Sequence, residues 1–273
     1  MADVLLIDSG VGSLSISQAI YQHMPQVNQR CVLDTAFFPY GQKNELQVLS
    51  RVLAIVEQQL QHFSPDAVVI ACNTASTLVL PELRQRYSTP FIGVVPAIKP
   101  AAQLSQTGTI ALIATQGTVD REYTQTLIND FAPNCQVIKV AASSLVALSE
   151  QSVRNKPVTP EDCRLALRFL FEHPDFASID TAILGCTHFP LLKPVLTPLF
   201  PSQWQWVDSS EAIARRLSSV LNEQGIKFRE PKCSEGGVNI SANGSRHAIL
   251  TSKDTSLKEG LVRYGFSSIE MMD

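Results

Sequence analysis

The chain has 273 residues, 45% of them apolar and 17% charged, with a formal net charge of −3 at pH 7; this is the composition of a soluble globular protein of one large or two modest domains, and it excludes disordered and fibrous classes. No apolar stretch approaches the ~18 residues of a membrane span, and Met1-Ala2-Asp3 opens neither a basic nor a long hydrophobic leader, so the expected location is cytoplasmic, with no membrane partner. A mildly acidic balance without a Lys/Arg cluster gives no electrostatic ground for a nucleic-acid partner.

In chain order, short Val- and Ile-rich runs that stop at small polar residues predict strands at 4–8, 31–35, 67–72, 91–95, 109–114, 134–140, 181–185 and 204–207. Helical apolar spacing occupies 46–63, 121–131, 160–172 and 210–224. Buried strands joined by crossover helices form mainly parallel sheets, so the fold class is α/β. Residues 229–256, poor in periodicity and rich in Gly, Ser, Asn and Lys, read as a loop; 257–272 can support a short helix against the first domain.

An internal echo divides this pattern. Leu6-Ile7-Asp8-Ser9-Gly10 resembles Ile113-Ala114-Thr115-Gln116-Gly117, and Val69-Ile70-Ala71-Cys72-Asn73-Thr74 resembles Ile183-Leu184-Gly185-Cys186-Thr187-His188, both at a little over one hundred residues. Two similar doubly wound domains, 1–96 with 208–273 and 97–207, would then face corresponding strand ends into a shared cleft that holds the active site. The alternative is that βα units look alike because they share physics.

Six cysteines without a C-x-x-C pair are neither a disulfide scaffold nor a structural zinc site, and they read as individual thiols. Cys72 and Cys186 each end a buried-strand pattern and precede small polar residues, the position where open α/β sheets bind ligands. A helix N-terminus there favours negative charge and thiolate; the alternative is a buried structural thiol. His188, two residues past Cys186, can be its proton partner, orient substrate, or sit hydrogen-bonded at a domain seam. Asp8-Ser9-Gly10-Val11-Gly12-Ser13 permits close backbone approach but departs from the dinucleotide fingerprint: Ser15 holds the third glycine position, and Asp34 only loosely matches the ribose acid. Asp8 can hold a substrate ammonium, polarise a thiol, or cap a helix. Thr115, Thr118 and Pro39-Tyr40-Gly41 fit a site or ordinary turns. A Ser nucleophile elbow, a P-loop, H-E-x-x-H and a strand-end lysine suited to pyridoxal are all missing from the sequence, so no cofactor is expected.

Together Asp8-Ser9-Gly10-Val11-Gly12, Pro39-Tyr40-Gly41, Ala71-Cys72-Asn73-Thr74-Ala75 and Gly185-Cys186-Thr187-His188-Phe189-Pro190-Leu191-Leu192 resemble the signature segments of the glutamate racemases, in the right order over roughly residues 4–225. The resemblance implies interconversion of L- and D-glutamate without pyridoxal phosphate or metal, supplying D-glutamate for bacterial peptidoglycan. It implies Cys72 and Cys186 as the two acid/base residues, assisted by Asp8 and His188. Asp8, Ser9, Pro39, Tyr40, Gly41, Cys72, Asn73, Thr74, Thr115, Thr118, Cys186, Thr187 and His188 would line the glutamate site. Glu150 falls where the family has a glutamate near the second thiol, although 142–148 lacks the customary Cys-Pro; Ser13 replaces a common glycine.

Two thiols suit racemisation because the reaction needs a base on one face of Cα and an acid on the other. Three other readings stay open on sequence: a related racemase acting on aspartate, a thiol hydrolase or decarboxylase using one cysteine with His188, and a noncatalytic amino-acid-binding module. A homodimer is compatible with each enzyme reading.

Overall fold

The computed structural model describes residues 1–226 and 244–272. The chain forms two compact units, Met1–Val94 with Ser210–Asp273, and Val95–Ser209. The first contains β1 (Asp3–Asp8), α1 (Ser13–His23), β2 (Asn28–Leu33), α2 (Glu45–His62), β3 (Ala67–Ile70), α3 (Asn73–Arg86) and β4 (Phe91–Gly93). The second contains α4 (Ile98–Leu104), β5 (Thr109–Ala114), α5 (Gln116–Val119), α6 (Glu122–Phe131), β6 (Gln136–Ala141), α7 (Ser144–Val153), α8 (Pro160–Ala166), α9 (Arg168–Phe171), β7 (Thr181–Leu184), α10 (Lys193–Leu196) and β8 (Gln205–Val207). The chain then returns to the first unit as α11 (Ser210–Glu223), β9 (Arg246–Leu250), α12 (Lys258–Arg263) and β10 (Ser268–Met271).

Sheet order is β10-β9-β2-β1-β3-β4 in the first unit and β6-β5-β7-β8 in the second, and every pairing is parallel. The class is therefore the α/β expected from the sequence. The physical cause is burial on both faces: all six residues of β5 and all four of β3 and of β7 are buried, and each fully buried Val, Leu or Ile contributes about 1.5–3 kcal/mol. In the first unit α2 packs with α3, and α1 packs with α11. In the second, α4 packs with α6, and α7 with α8. Caps set where helices begin: Asn44 Oδ1 accepts the Gln47 N–H at 2.8 Å ahead of α2, and Thr159 with Pro160 opens α8.

The strand order positions the chemistry. From β1 the chain steps one way to β2 and the other way to β3; from β5 it steps one way to β6 and the other to β7. The crevice outside the carboxyl ends of such a pair is where doubly wound sheets bind ligands. Asp8 ends β1 and Cys72 follows β3; Thr115 follows β5 and Cys186 follows β7. The pairs linked by the sequence echo thus stand at the switch points of their own sheets.

Several boundaries differ from the sequence reading. The span 229–256 is not all loop: β9 runs through Arg246–Leu250, paired with β2, whereas residues 229–243 of that span lie outside the described residues. Its first residue disguised it. Arg246 is 4% exposed because the rings of Tyr21 and Phe266 flank its guanidinium at 5.1 and 4.9 Å and Ser17 Oγ accepts from it at 3.1 Å. β2 begins three residues early, at Asn28, because the Asn28 side-chain Nδ2 donates to Asp3 Oδ1 at 2.8 Å and its side-chain Oδ1 accepts the Ser245 N–H at 2.8 Å. The helix expected at 160–172 is two helices, broken at Leu167 (φ −110°, ψ 16°), whose N–H is shared by the Cys163 and Arg164 carbonyls. In 257–272 the helix stops at Gly265 (φ 83°), whose N–H reaches the Val262 carbonyl while Phe266 N–H reaches Leu261; β10 follows.

Candidate active site

In the first unit, Asp8 is fully buried, and its Oδ1 accepts the Ser9 hydroxyl at 3.2 Å and the Gly10 N–H at 3.4 Å. It is not a helix cap, since Gly12 precedes α1. Cys72 is the extended residue before α3 (φ −138°, ψ 121°), its carbonyl accepting the Ser76 N–H at 2.9 Å and its side chain 8% exposed. Asn73 and Thr74, in the first turn of α3, are buried beside it in sequence. That helix end presents N–H groups and positive potential to whatever anion the thiol side receives.

Pro39 enters a short 3₁₀ turn, Tyr40–Gln42. The Tyr40 ring is fully buried in the same apolar cluster as Cys72, and its hydroxyl donates to Asp34 Oδ2 at 2.9 Å. Burial, then the Asp34 charge, holds the Tyr40 phenol well above its ordinary pKa, with Cys72 and Asp8 pushing the same way. Tyr40 is consequently a neutral hydroxyl. Gly41 is exposed in the turn.

In the second unit, Gly185 follows β7 with its N–H on the Ile113 carbonyl at 2.7 Å. A Cβ at Gly185 would stand 2.9 Å from Leu112 Cδ1 and 3.2 Å from the Ile113 carbonyl oxygen, so the glycine seats Cys186 close against β5. Cys186 Sγ lies 3.9 Å from His188 Nδ1, and His188 Nε2 lies 3.1 Å from Glu150 Oε1. Arg154, one turn on at the C-cap of α7, donates to the other Glu150 oxygen and, at 3.0 Å, to the Glu150 carbonyl. His188 is 2% and Glu150 6% exposed. With Nε2 at an anchored carboxylate and Nδ1 facing the sulfur, the imidazole stands between the thiol and Glu150 in a position suited to proton exchange. Ser149 Oγ lies 2.9 Å from the His188 carbonyl and 2.8 Å from that of Leu145, tying the histidine backbone to α7. Thr115 and Thr118 hydroxyls are 3.1 Å apart, and Thr187 is buried between Cys186 and His188 in sequence.

Two of the other described thiols differ. Burial pushes Cys31 up to about 12 despite Arg246 and Ser17, and Cys163 up to about 11, which makes both inert. Cys233 lies outside the described residues. Among the described residues, no His/Cys/Asp/Glu group of three or more suits a metal, and no helix is long and apolar enough to cross a membrane.

The structure thus brings Asp8, Ser9, Tyr40 and Cys72 to one set of strand ends, and Cys186, His188 and Glu150 to another. Sequence reasoning missed Arg154, although its i,i+4 spacing from Glu150 on α7 is a readable signal. It weighed Asp34 only as a ribose acid and missed Arg51; their 17-residue separation carries no periodic signal.

Residues 14–217 match the model of the Asp/Glu/Hydantoin racemase family. The chain is 43% identical over 220 residues to the glutamate racemase of Actinobacillus pleuropneumoniae serotype 3, covering 81% of this chain and 82% of the relative. It is 40% identical over 271 residues to that of Klebsiella pneumoniae, covering 98% and 91%. It superposes with a TM-score of 0.88 and 36% identity on Escherichia coli glutamate racemase in complex with L-glutamate and the activator UDP-MurNAc-Ala, covering 99% of this chain and 98% of that one. The family match over residues 14–217 and the near full-length likeness to these enzymes place the chain in the Asp/Glu/Hydantoin racemase family, as an amino-acid racemase.

Proposed function

We propose that the chain interconverts L- and D-glutamate through Cys72 and Cys186, one thiol acting on each face of Cα, and supplies D-glutamate for peptidoglycan synthesis in the cytoplasm. The observation that carries the mechanism is the Cys186–His188–Glu150 relay, which equips a strand-end thiol to exchange a proton. The glutamate racemases that match the chain over most of its length support the substrate. In one direction a thiolate takes the Cα proton: the C–H electron pair moves toward the adjacent carboxylate, the sulfur becomes S–H, and the planar intermediate receives a proton on its other face from the second thiol. The product leaves with the two sulfurs exchanged in protonation, and the reverse reaction uses the opposite assignment. No external oxidant, metal or carbonyl cofactor enters that balance.

Ground-state and transition-state contacts differ in role. Donors aimed at the α-carboxylate, from backbone N–H groups and the side chains of Asn73, Thr74 and Thr187, stabilise the charge that develops there. Ser9, the Pro39-Tyr40-Gly41 turn, Thr115 and Thr118 complete the substrate contacts, while Asp8 assists Cys72, and His188 with Glu150 assists Cys186.

The test is initial isomerisation of L-glutamate, L-aspartate and L-glutamine by polarimetry. Glutamate is expected to turn over at least ~10-fold faster than the others; a preference for aspartate overturns the substrate, because one methylene is worth only about 1–3 kcal/mol of pocket shape.

A further inference from the structure

Asp34 is a carboxylate with no exposed surface, yet it is not among the groups assigned to the reaction. It sits just past β2, with its own N–H on the Asp8 carbonyl at 2.8 Å. Its four strongest acceptor positions are all filled. Oδ1 takes Arg51 Nη2 at 2.6 Å and Thr251 Oγ1 at 2.7 Å; Oδ2 takes Arg51 Nε at 2.9 Å and the Tyr40 hydroxyl at 2.9 Å. A two-pronged guanidinium fork fixes the plane of the carboxylate as well as its place. Three chain segments therefore meet on one side chain: the turn at Tyr40, helix α2 through Arg51, and, 217 residues away in sequence, the end of β9 through Thr251.

We propose that Asp34, clamped by Arg51 and Thr251, is a positioning residue that sets the Tyr40–Gly41 turn beside Cys72 and so fixes the substrate-binding geometry of the first unit; this rests on the glutamate-racemase reading above. The direction of the bonds supports it. Arg51 and Thr251 approach the carboxylate from the scaffold, and Tyr40 takes the remaining position on Oδ2. The Tyr40 ring lies in the core cluster that contains Cys72, so the turn is held at both its hydroxyl and its ring. Thr251 Oγ1 also accepts the Ala36 N–H at 3.0 Å, fastening the segment that leads into the turn. A fold staple alone would need only the fork; the tyrosine bond passes its rigidity to residues that would face the substrate.

The test uses the full-length protein with Arg51→Gln, Arg51→Lys and Thr251→Val, following kcat and KM for both enantiomers of glutamate at 25 °C, with circular dichroism and thermal melting as folding controls. Arg51→Gln is expected to raise KM about tenfold while kcat stays within about threefold, the pattern of lost binding geometry rather than lost proton transfer. Arg51→Lys is expected to recover part of that loss, and Thr251→Val, which removes the bonds to Asp34 and to the Ala36 N–H but leaves the guanidinium fork, to raise KM about threefold in a fully folded protein. If folded Thr251→Val and Arg51→Gln keep wild-type KM, or if their only change is an apparent kcat lowered in proportion to the unfolded fraction, the positioning role is overturned. Should Arg51→Gln fail to fold, Thr251→Val decides alone. A wild-type protein that does not racemise glutamate overturns the functional reading and the proposal with it; an active wild type with indifferent variants overturns the proposal alone.

Discussion

The strand ends that carry Cys72 and Cys186 occupy the same place in sheets that share the order β2-β1-β3-β4 and β6-β5-β7-β8, yet they differ in what stands behind the sulfur. Cys72 precedes a 14-residue helix and shares its core cluster with Tyr40. Cys186 is followed by a four-residue 3₁₀ turn, Phe189–Leu192, and faces an imidazole anchored by Glu150 and Arg154. The lesson is that a repeated βα topology fixes where a reactive group stands, whereas the neighbouring side chains fix how it handles a proton. At one end the thiol precedes the N-terminus of a long helix; at the other it faces a histidine held by Glu150.

That difference has an observable consequence. Two enantiomers have equal free energy, so kcat/KM in the two directions must stay equal in every variant, and any asymmetry must appear in kcat and KM separately. The largest expected effects come from removing either sulfur: Cys72→Ser and Cys186→Ser should each lower kcat/KM by about 10³-fold or more, in line with loss of a positioned acid or base. Either variant retaining normal racemisation would break the comparison outright. Next, Asp8→Asn and His188→Asn should each cost about 10–100-fold in kcat/KM, with the two variants slowing kcat most in opposite directions when progress is followed from pure L- and pure D-glutamate. Equal slowing in both directions by both variants would show that the two ends are chemically alike. Arg154→Gln should cost less, about 3–10-fold, because it acts on the thiol only through Glu150 and His188.

Smaller effects sharpen the structural half of the comparison. Both tryptophans, Trp204 and Trp206, lie in the second unit against Phe200 (4.8 and 5.2 Å between ring centroids), so their fluorescence reports that unit alone. Leu112→Ala in β5, at a fully buried position, should lower its stability by about 2–5 kcal/mol in a denaturant titration read at the tryptophans. Asp180 lies at the opposite, N-terminal end of β7. Burial pushes its carboxyl up, but hydrogen bonds from Ser105, Thr107, Gln106 and Thr181 outweigh this and hold it at about 2. Because that is below the ordinary aspartate value of about 3.9, its stabilisation is complete above about pH 4 and is lost as the pH falls toward 2. Asp180→Asn should therefore reduce stability at neutral pH and flatten the loss across that acid window.

How much of this could be read from residues alone follows from where each signal lives. The strand-end positions of Cys72 and Cys186 were legible because a run buried on both faces that stops at small polar residues is a local pattern. β9 was not, since Arg246 is buried by α1, through Ser17 and the Tyr21 ring, and by the Phe266 ring on the β10 approach, contacts more than two hundred residues away in sequence or beyond a helix stop. Helix α3 leaves little periodic trace, because Asn73, Thr74 and Ser76 are polar yet buried at the site end. The Glu150–His188 contact spans 38 residues, and 217 separate Thr251 from Asp34; neither spacing is written in any local period.

The most direct measurement is early turnover of L-glutamate in deuterated water, with Cα label read by mass spectrometry in both the recovered L-glutamate and the new D-glutamate. Thiols equilibrate with solvent, so two sulfurs working from opposite faces require nearly every D-glutamate molecule to carry deuterium while the unreacted L-glutamate stays protiated. Protium carried through into the product, or equal labelling of substrate and product at low conversion, would contradict the two-thiol mechanism.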